Sequence, residues 1–328
     1  KPGDNLNLPR KSYKECVAYI LEDLKKAIAS LPTTLPETSY GRATKGAAMA
    51  LKARVLLFAA SPQWKKERDE DLWQAADAAH DVITLKDNGE LVYELYTTNS
   101  GASDYEQLFF TRREAGNKEV IFSKHAGPVG FSSNEISVWA PSGGQLNGAG
   151  AVCPTQNFVN LFETTEGYPI TDPRSKYDAQ KPFENRDPRF YKTVLYHGSK
   201  WQGETIDVTY DDASATYGTH RDPKKEHTRT GYYVRKYLPE SVKDNTSNSS
   251  YHEWIFFRLA EMYLNYAEAL NETLPAPNQE VYDAVNKIRE RSGMKELPNN
   301  LDKDGMRERI WNERAVELSF EEHRWWDA

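Results

Sequence analysis

The sequence predicts a mainly α-helical protein, with helical segments near both ends of the chain and a long irregular excursion between them. Three observations predict this. Apolar residues recur at steps of three and four over residues 13–28, 44–60 and 71–85, and again over 259–270, 281–288 and 304–323, which lays one stripe along a helix. Capping residues, Pro or Gly bound most of these segments. Between about residues 99 and 251 the periodicity lapses, and Gly, Pro, Ser and Asn are interspersed with aromatics, the composition of turns and loops. The chain divides accordingly into a helical scaffold (1–95), a loop-rich, ligand-binding excursion (96–252) and C-terminal helices that pack on the scaffold (253–328).

The first helix begins at a capping-box pattern, Ser12 with Glu15. Tyr13, Cys16, Val17, Ile20, Leu21, Leu24 and Ile28 form its stripe, and Leu31-Pro32 stops it. Cys16 is expected as a buried free thiol, so no disulfide with Cys153 is predicted. The second helix, from about Thr44 to Ala60, is full of Ala, which lets other backbones come close; Ser61-Pro62 ends it. The third runs from about Asp71 to Leu85, with Leu72, Ala76, Ala79, Val82 and Ile83 on one face and Asn88-Gly89 as its stop. Short helices meeting at Ala resemble tetratricopeptide pairs, without a regular repeat period. In the excursion, Ser142–Gly150 reads as loop, Glu119–Ser123 and Tyr232–Tyr237 as short strands, and only Pro154–Glu163 as helix. A loop region of this length carries function more often than not. Toward the end, Leu259, Met262, Tyr263, Tyr266, Ala267 and Leu270 form one stripe, and Val281, Val285 and Ile288 another. Arg289 and Arg291 then complement the helix end before the Gly293 cap. The final helix is expected from Asp304 to His323. Neither end has enough apolar surface to close alone, so the two are expected to form one scaffold.

Composition excludes several functions. The chain has 328 residues and a net charge of -7, with 49 acids against 42 bases, where a nucleic-acid reader needs a basic face. No apolar run is long enough to span a bilayer. The 19 Tyr and 8 Trp suit flat ligands with apolar faces, such as sugar rings. The seven His are scattered and match no zinc spacing. Asp211-Asp212 and Asp244 with Asn245 and Asn248 could offer oxygen to calcium, but the EF-hand pattern is missing. No Walker loop, G-x-G-x-x-G or G-x-S-x-G is present. No cofactor and no metal are expected.

Two charged strings invite a catalytic reading. Arg307, Arg309, Glu313, Arg314, Glu317, Glu321, Glu322 and Arg324 crowd the last helix. Hydrolysis of a glycoside needs carboxylates facing across the sugar ring, which successive turns of one helix cannot supply. An ion-pair network that fixes helix packing is the better reading. Arg186 and Arg189 in E-N-R-D-P-R-F read likewise as structural, binding carbonyls or carboxylates at helix ends. Among the aromatics, Trp73, Trp254 and Trp311 fall in periodic helical segments and are expected in the core, with Trp325 and Trp326 packed on the scaffold. Trp139, Trp201, Tyr210 and Tyr217 fall in the excursion near Asn134, Gln145, Asn147, Asp211, Asp212 and Arg221. That mixture of ring faces, amides and charges is what saccharide binding requires.

Seven strings in order resemble the SusD/RagB family: YGRATKGAAMALKARVLLFAASP (40–62), PTQNFVNLFE (154–163), ENRDPRFYKTV (184–194), TGYYVRKY (230–237), RLAEMYLNYAEALNE (258–272), NKIRERSG (286–293) and ERAVELSFEEHRWWD (313–327). The resemblance implies a helical, tetratricopeptide-like fold. It also implies a non-catalytic outer-membrane lipoprotein at the surface of Bacteroidetes-like bacteria. Such a protein binds glycan for a SusC-like TonB-dependent transporter, over which it acts as a lid. The family's signal peptide, lipidated cysteine and first helices are missing from the start, KPGDN, and the family usually continues past the Arg-Trp-Trp-Asp stretch, so a chain truncated at both ends is expected. The resemblance places sugar contacts on loop aromatics outside the helices. Trp201 and Tyr217 are then the expected stacking platforms, Trp139 and Tyr210 the alternates, and Asn147 and Arg221 the hydrogen-bonding groups. Gln202, Gly203 and Gly218 permit close approach. Two rival classes stay open: a helical-repeat module that binds protein or peptide, as in the family's peptide-uptake members, and an α-helical glycoside hydrolase.

Overall fold

The structure is a computed structural model that describes residues 9–64, 72–130, 139–143, 146–211, 213–221, 227–238, 240 and 249–327. Three helices come first: α1 (Tyr13–Ser30), α2 (Lys45–Ala59) and α3 (Leu72–Ile83). The middle carries β1 (Lys86–Asp87), β2 (Glu90–Leu91), α4 (Ala102–Gln107), β3 (Val120–Gly130), β4 (Ser142–Gly143), β5 (Leu146–Asn147), α5 (Gln156–Leu161), α6 (Phe190–Thr193) and β6 (Val194–Leu195). It continues through β7 (Lys200–Trp201), β8 (Glu204–Thr205), β9 (Tyr210–Asp211), β10 (Thr216–Tyr217), β11 (Tyr233–Val234) and β12 (Ser249–Arg258). The chain closes with α7 (Leu259–Thr273), α8 (Gln279–Arg291), α9 (Lys303–Glu317) and α10 (Arg324–Asp327). The fold is mainly helical, with strands paired two by two: β3 and β12 are 11 and 10 residues long, the others two.

The helix starts follow their capping chemistry. At α1, Ser12 Oγ accepts from the Glu15 N–H at 3.3 Å, and the Glu15 carboxylate accepts from the Ser12 N–H at 3.0 Å, closing a capping box. Thr44 caps α2, Asn278 caps α8 and Asp302 caps α9. Small residues then set the packing. Ala50, Ala53, Ala75, Ala76 and Ala79 meet Ala267, Ala269, Val281, Val285, Met306 and Ile310 in a single apolar core. Helices from both ends of the sequence therefore share one interior. Gly46 on α2 has a packing reason: a Cβ there would sit 2.1 Å from the Tyr93 hydroxyl.

Several expectations are corrected. Asn88-Gly89 does more than stop α3; with φ of 51° and 87° it turns the β1–β2 hairpin, as type I′ geometry requires. Trp254 lies on β12, paired with β3, and not on a helix; burial alternates from Glu253 to Phe257, the period of a strand. Two short helices, α4 and α6, appear where only α5 was expected, and 142–150 contains the β4–β5 pairing. The last long helix ends at Glu317, short of His323, because Phe320 and Glu322 take positive φ. Cys16 is exposed: α1 buries only Val17 and Leu24, so its stripe is narrower than its apolar pattern. Trp73 and Trp311 are 44% and 51% exposed, since Ala75, Ala76 and Ala79 on α3, and Met306 and Ile310 on α9, take the inward faces. Trp325 and Trp326 are exposed as well.

The excursion builds its own apolar clusters. Tyr105, Phe109, Trp201, Ile206, Tyr233 and Tyr237 form one. Phe162, Phe190 and Val194 form another that reaches Val316 on α9.

Candidate functional site

A buried ionic lattice joins the excursion to the helices. Arg258, at the end of β12, donates to Glu119 at 2.8 Å, Glu317 at 2.7 Å and Glu321 at 2.7 Å. Arg291 on α8 also joins Glu119 to Glu317. Arg189 donates to Asp187 at 2.8 Å, Glu313 at 2.5 Å and Glu317 at 2.9 Å. Arg289 bridges Glu313 at 2.9 Å and Glu163 at 3.0 Å, Arg309 meets Glu163 at 2.8 Å, and Lys236 meets Glu321 at 2.7 Å. The bases Lys236, Arg189, Arg258, Arg289, Arg291 and Arg309 thus balance the acids Asp187, Glu119, Glu163, Glu313, Glu317 and Glu321.

Burial alone raises a carboxyl pKa. At Glu317 that push is outweighed by Arg291, Arg258 and Arg189, which hold the group well below the carboxylate range. At Glu321 burial is outweighed by Arg258 and Lys236, leaving a value of about 2. Glu313 and Glu317 are both engaged by Arg189 and do not face each other across a cleft, so the charged string of α9 is an ion-pair network, as its helical spacing suggested. Arg186 is structural too. It donates to the carbonyls of Val159 at 2.6 Å and Phe162 at 2.8 Å, capping the end of α5.

The exposed aromatic feature of the excursion is the β9–β10 hairpin. Tyr210 and Tyr217 are cross-strand partners, 40% and 43% exposed, with ring centroids 4.6 Å apart and planes inclined by 40°. The Asp211 carboxylate accepts from the Ala213 N–H at 2.9 Å and the Ser214 hydroxyl at 2.6 Å, an Asx turn that folds the tip. At the base, the His220 N–H donates to the Asp207 carbonyl at 2.8 Å, and His220 Nδ1 accepts from the Asp207 N–H at 3.0 Å. Asp207 also accepts from the Thr209 hydroxyl at 2.7 Å and the Thr209 N–H at 3.1 Å, and those bonds lower its pKa. A Cβ at Gly218 would lie 2.3 Å from Asp207 Oδ1, so this glycine serves hairpin packing and not ligand approach. Arg221 is half-buried and donates to the Val208 carbonyl at 3.3 Å. Gly143 of β4 packs on the Thr219 carbonyl, which brings the strand bearing Asn147 to the hairpin base. The side chain of Asn147 lies outside the description, as do residues Asn134, Gln145, Asp212, Asp244, Asn245 and Asn248.

Trp201 corrects the expectation of a leading stacking platform. It is 1% exposed and belongs to an interior cluster, with the Arg235 guanidinium 5.4 Å from its ring. Alternation on β7 puts Lys200 outward and Trp201 inward, a two-residue period invisible in so short a strand. Gln202 and Gly203, with φ of 49° and 89°, form the turn to β8. Trp139 is half-buried, edge-on to Tyr237 and Trp254, each 6.2 Å away. Of the four excursion aromatics, Tyr210 and Tyr217 present open ring surface together. Their pairing was missed, although Tyr, Asp, Ser and Tyr at 210, 211, 214 and 217 spell a short hairpin around an Asx turn. Among the described residues no His, Cys, Asp or Glu cluster could hold a metal ion, and no helix is long and apolar enough to cross a membrane.

Comparison with known proteins adds a family. The model described as "SusD family" matches residues 106–328, and the one described as "Starch-binding associating with outer membrane" matches residues 1–57. SusD-like protein P2 of Formosa agariphila is 26% identical over 303 residues, covering 89% of this chain and 52% of the relative. A SusD-like protein of Bacteroides fragilis superposes with a TM-score of 0.74 at 31% identity, covering 99% of this chain and 61% of that one. A SusD-like carbohydrate binding protein of the same organism gives 0.76 at 26% identity, covering 98% and 59%. The chain spans about half the length of the curated relatives it matches.

Proposed function

This chain belongs to the SusD family, and on that premise we propose that it captures oligosaccharide at the outer-membrane surface. It hands the ligand, unaltered, to a SusC-like TonB-dependent barrel. The observation that carries the reading is the tyrosine pair. Tyr210 and Tyr217 stand outward on a hairpin whose tip and base are fixed by Asp211 and by the Asp207–His220 bonds. Rigid aromatic faces bind C–H surfaces of sugar at little entropic cost, because the rings are already placed. Arg221 and Asp211 lie beside them as hydrogen-bonding groups for hydroxyls.

Binding without turnover follows from the carboxylates. Hydrolysis needs one protonated acid and one free base across the scissile bond. The acids of the lattice are buried and held by Arg or Lys, so they are spoken for.

Affinity-gel and glycan-array screening of the chain tests the proposal. Binding of a neutral polysaccharide is expected. The paired change Tyr210→Ala with Tyr217→Ala should weaken it by about 1–3 kcal/mol, the scale of losing a central aromatic contact. Unchanged affinity in a folded variant moves the site off this hairpin. Release of reducing ends, abolished by one Glu or Asp substitution, overturns the non-catalytic reading.

A further inference from the structure

A second concavity lies away from the tyrosine hairpin, between the segment 91–101 and helices α7 and α8. Its volume is about 630 Å³, inside the roughly 300–1,000 Å³ range of small-molecule sites. Tyr263 of α7 gives it an aromatic wall, Leu91 and Leu95 an apolar one, and Asn99, Lys287 and Glu290 a polar rim.

Among the described residues, the Asn99 amide, the Lys287 ammonium, the Glu290 carboxylate and the Tyr263 hydroxyl make no hydrogen bond or ion pair. Lys287 meets only the Tyr263 ring, 5.8 Å from its centroid. These four groups line one cleft and are free to bond a ligand there.

The rim is also held in place. The buried Asp104 accepts from the Thr97 hydroxyl at 3.1 Å, the Thr98 hydroxyl at 2.6 Å and the Ser100 N–H at 2.9 Å. These bonds hold Asn99 in the left-handed region at φ 63°, a conformation that costs a non-glycine residue energy and recurs at ligand sites.

We infer that this cleft is a second saccharide site, built for one or two neutral pyranose units stacked on Tyr263. The inference rests on the reading of this chain as a glycan binder. Neutrality follows from the charges. Lys287 is offset by Glu290, Glu94 is paired with Lys118 at 2.6 Å, and Arg291 is engaged by Glu119 and Glu317, so neither an anionic nor a cationic sugar meets a net countercharge. Hydroxyls both donate and accept. The rim offers a donor in Lys287, an acceptor in Glu290 and both in Asn99.

The test is amide chemical-shift mapping of the folded chain titrated with maltohexaose, cellohexaose, laminarihexaose and, separately, oligogalacturonate and tri-alanine. A neutral hexasaccharide should shift two groups of amides, one around 210–217 and one around 97–101 and 287–291. Asn99→Ala and the pair Lys287→Ala with Glu290→Ala, all at exposed positions, should each weaken the second response by about three- to tenfold, the worth of one or two hydrogen bonds, and leave the first intact. Shifts confined to 210–217 overturn the second site and leave the proposed function standing. Shifts confined to the cleft uphold the inference and remove the tyrosine pair. Preference of the cleft for oligogalacturonate or tri-alanine over every neutral sugar overturns its assignment. No response to any sugar overturns both readings.

Discussion

The helical core and the junction to the excursion are held by opposite means. Between α2, α3 and α7 the contacts are alanine against alanine, close and apolar. Between the excursion and the helices α8 and α9, with the turn that follows α9, lie six acids and six bases, nearly all sealed from water. An alanine interface is limited by space: it tolerates loss of a methyl and resists any gain. An ionic interface is limited by balance. Removing one partner leaves a buried charge that water cannot reach. The same molecule should therefore fail in two distinguishable ways.

The largest effect is expected at the point of greatest connectivity. Glu317→Ala takes one carboxylate from each of Arg189, Arg258 and Arg291, leaves six buried bases against five acids, and should cost about 3–5 kcal/mol by urea unfolding, the scale of breaking a buried pair. A loss under about 1 kcal/mol would show that the lattice is held by its other members. Next is Trp201→Ala, expected to cost about 3–5 kcal/mol as a core truncation. Full stability in that variant would return Trp201 to the surface. Ala53→Leu probes the apolar side: at a position with no exposed area, overpacking should cost about 1–3 kcal/mol. A neutral result would mean that the helices can part without penalty.

Acid separates the two regions without mutation. Burial, with help from Arg314 and Arg54, lowers the His323 pKa to about 4 against the pull of Glu261 and Glu321, from an ordinary value of about 6.5. The unfolded chain therefore takes up this proton first. Stability present above about pH 6.5 should decline toward pH 4. His323→Gln should flatten that limb, and an unchanged pH profile would exclude His323 as its origin. Further down, the contribution of Glu321 should fade below its unfolded value of about 4.3 and be gone near its folded value of about 2. The smallest effect is expected at the hairpin tip, where Tyr217→Ala should change stability by less than about 0.5 kcal/mol. A larger loss would mark Tyr217 as structural.

What the sequence revealed tracks the range of each interaction. Helices α1, α2, α7 and α8 were legible because caps and period-3.6 stripes are local. Glu313 and Glu317 could be assigned to ion pairing from their spacing. Their partners could not, because Arg189 is 124 residues from Glu313 and Arg258 is 59 residues from Glu317, separations that no local pattern spans. Trp201 and Tyr217 looked alike as loop aromatics. Which ring turns inward depends on the register of a two-residue strand, and nothing local to either residue sets it. Cys16 and Trp311 were misplaced for a related reason: a helix at the edge of a core buries less of its apolar face than its pattern offers.

One consequence concerns the order in which the molecule can be made. Arg291 and Glu119 are 172 residues apart, and Arg258 and Glu119 are 139 apart. Glu321 must also arrive before Lys236 and Arg258 are neutralised. Closure thus awaits α9 and the turn after it, and contacts of such separation form slowly. Once shut, the lattice cannot open one pair at a time without leaving charge stranded, so unfolding should be slow and all-or-none. The lifetime of the folded state would then be set by that slow exit and not by equilibrium stability alone.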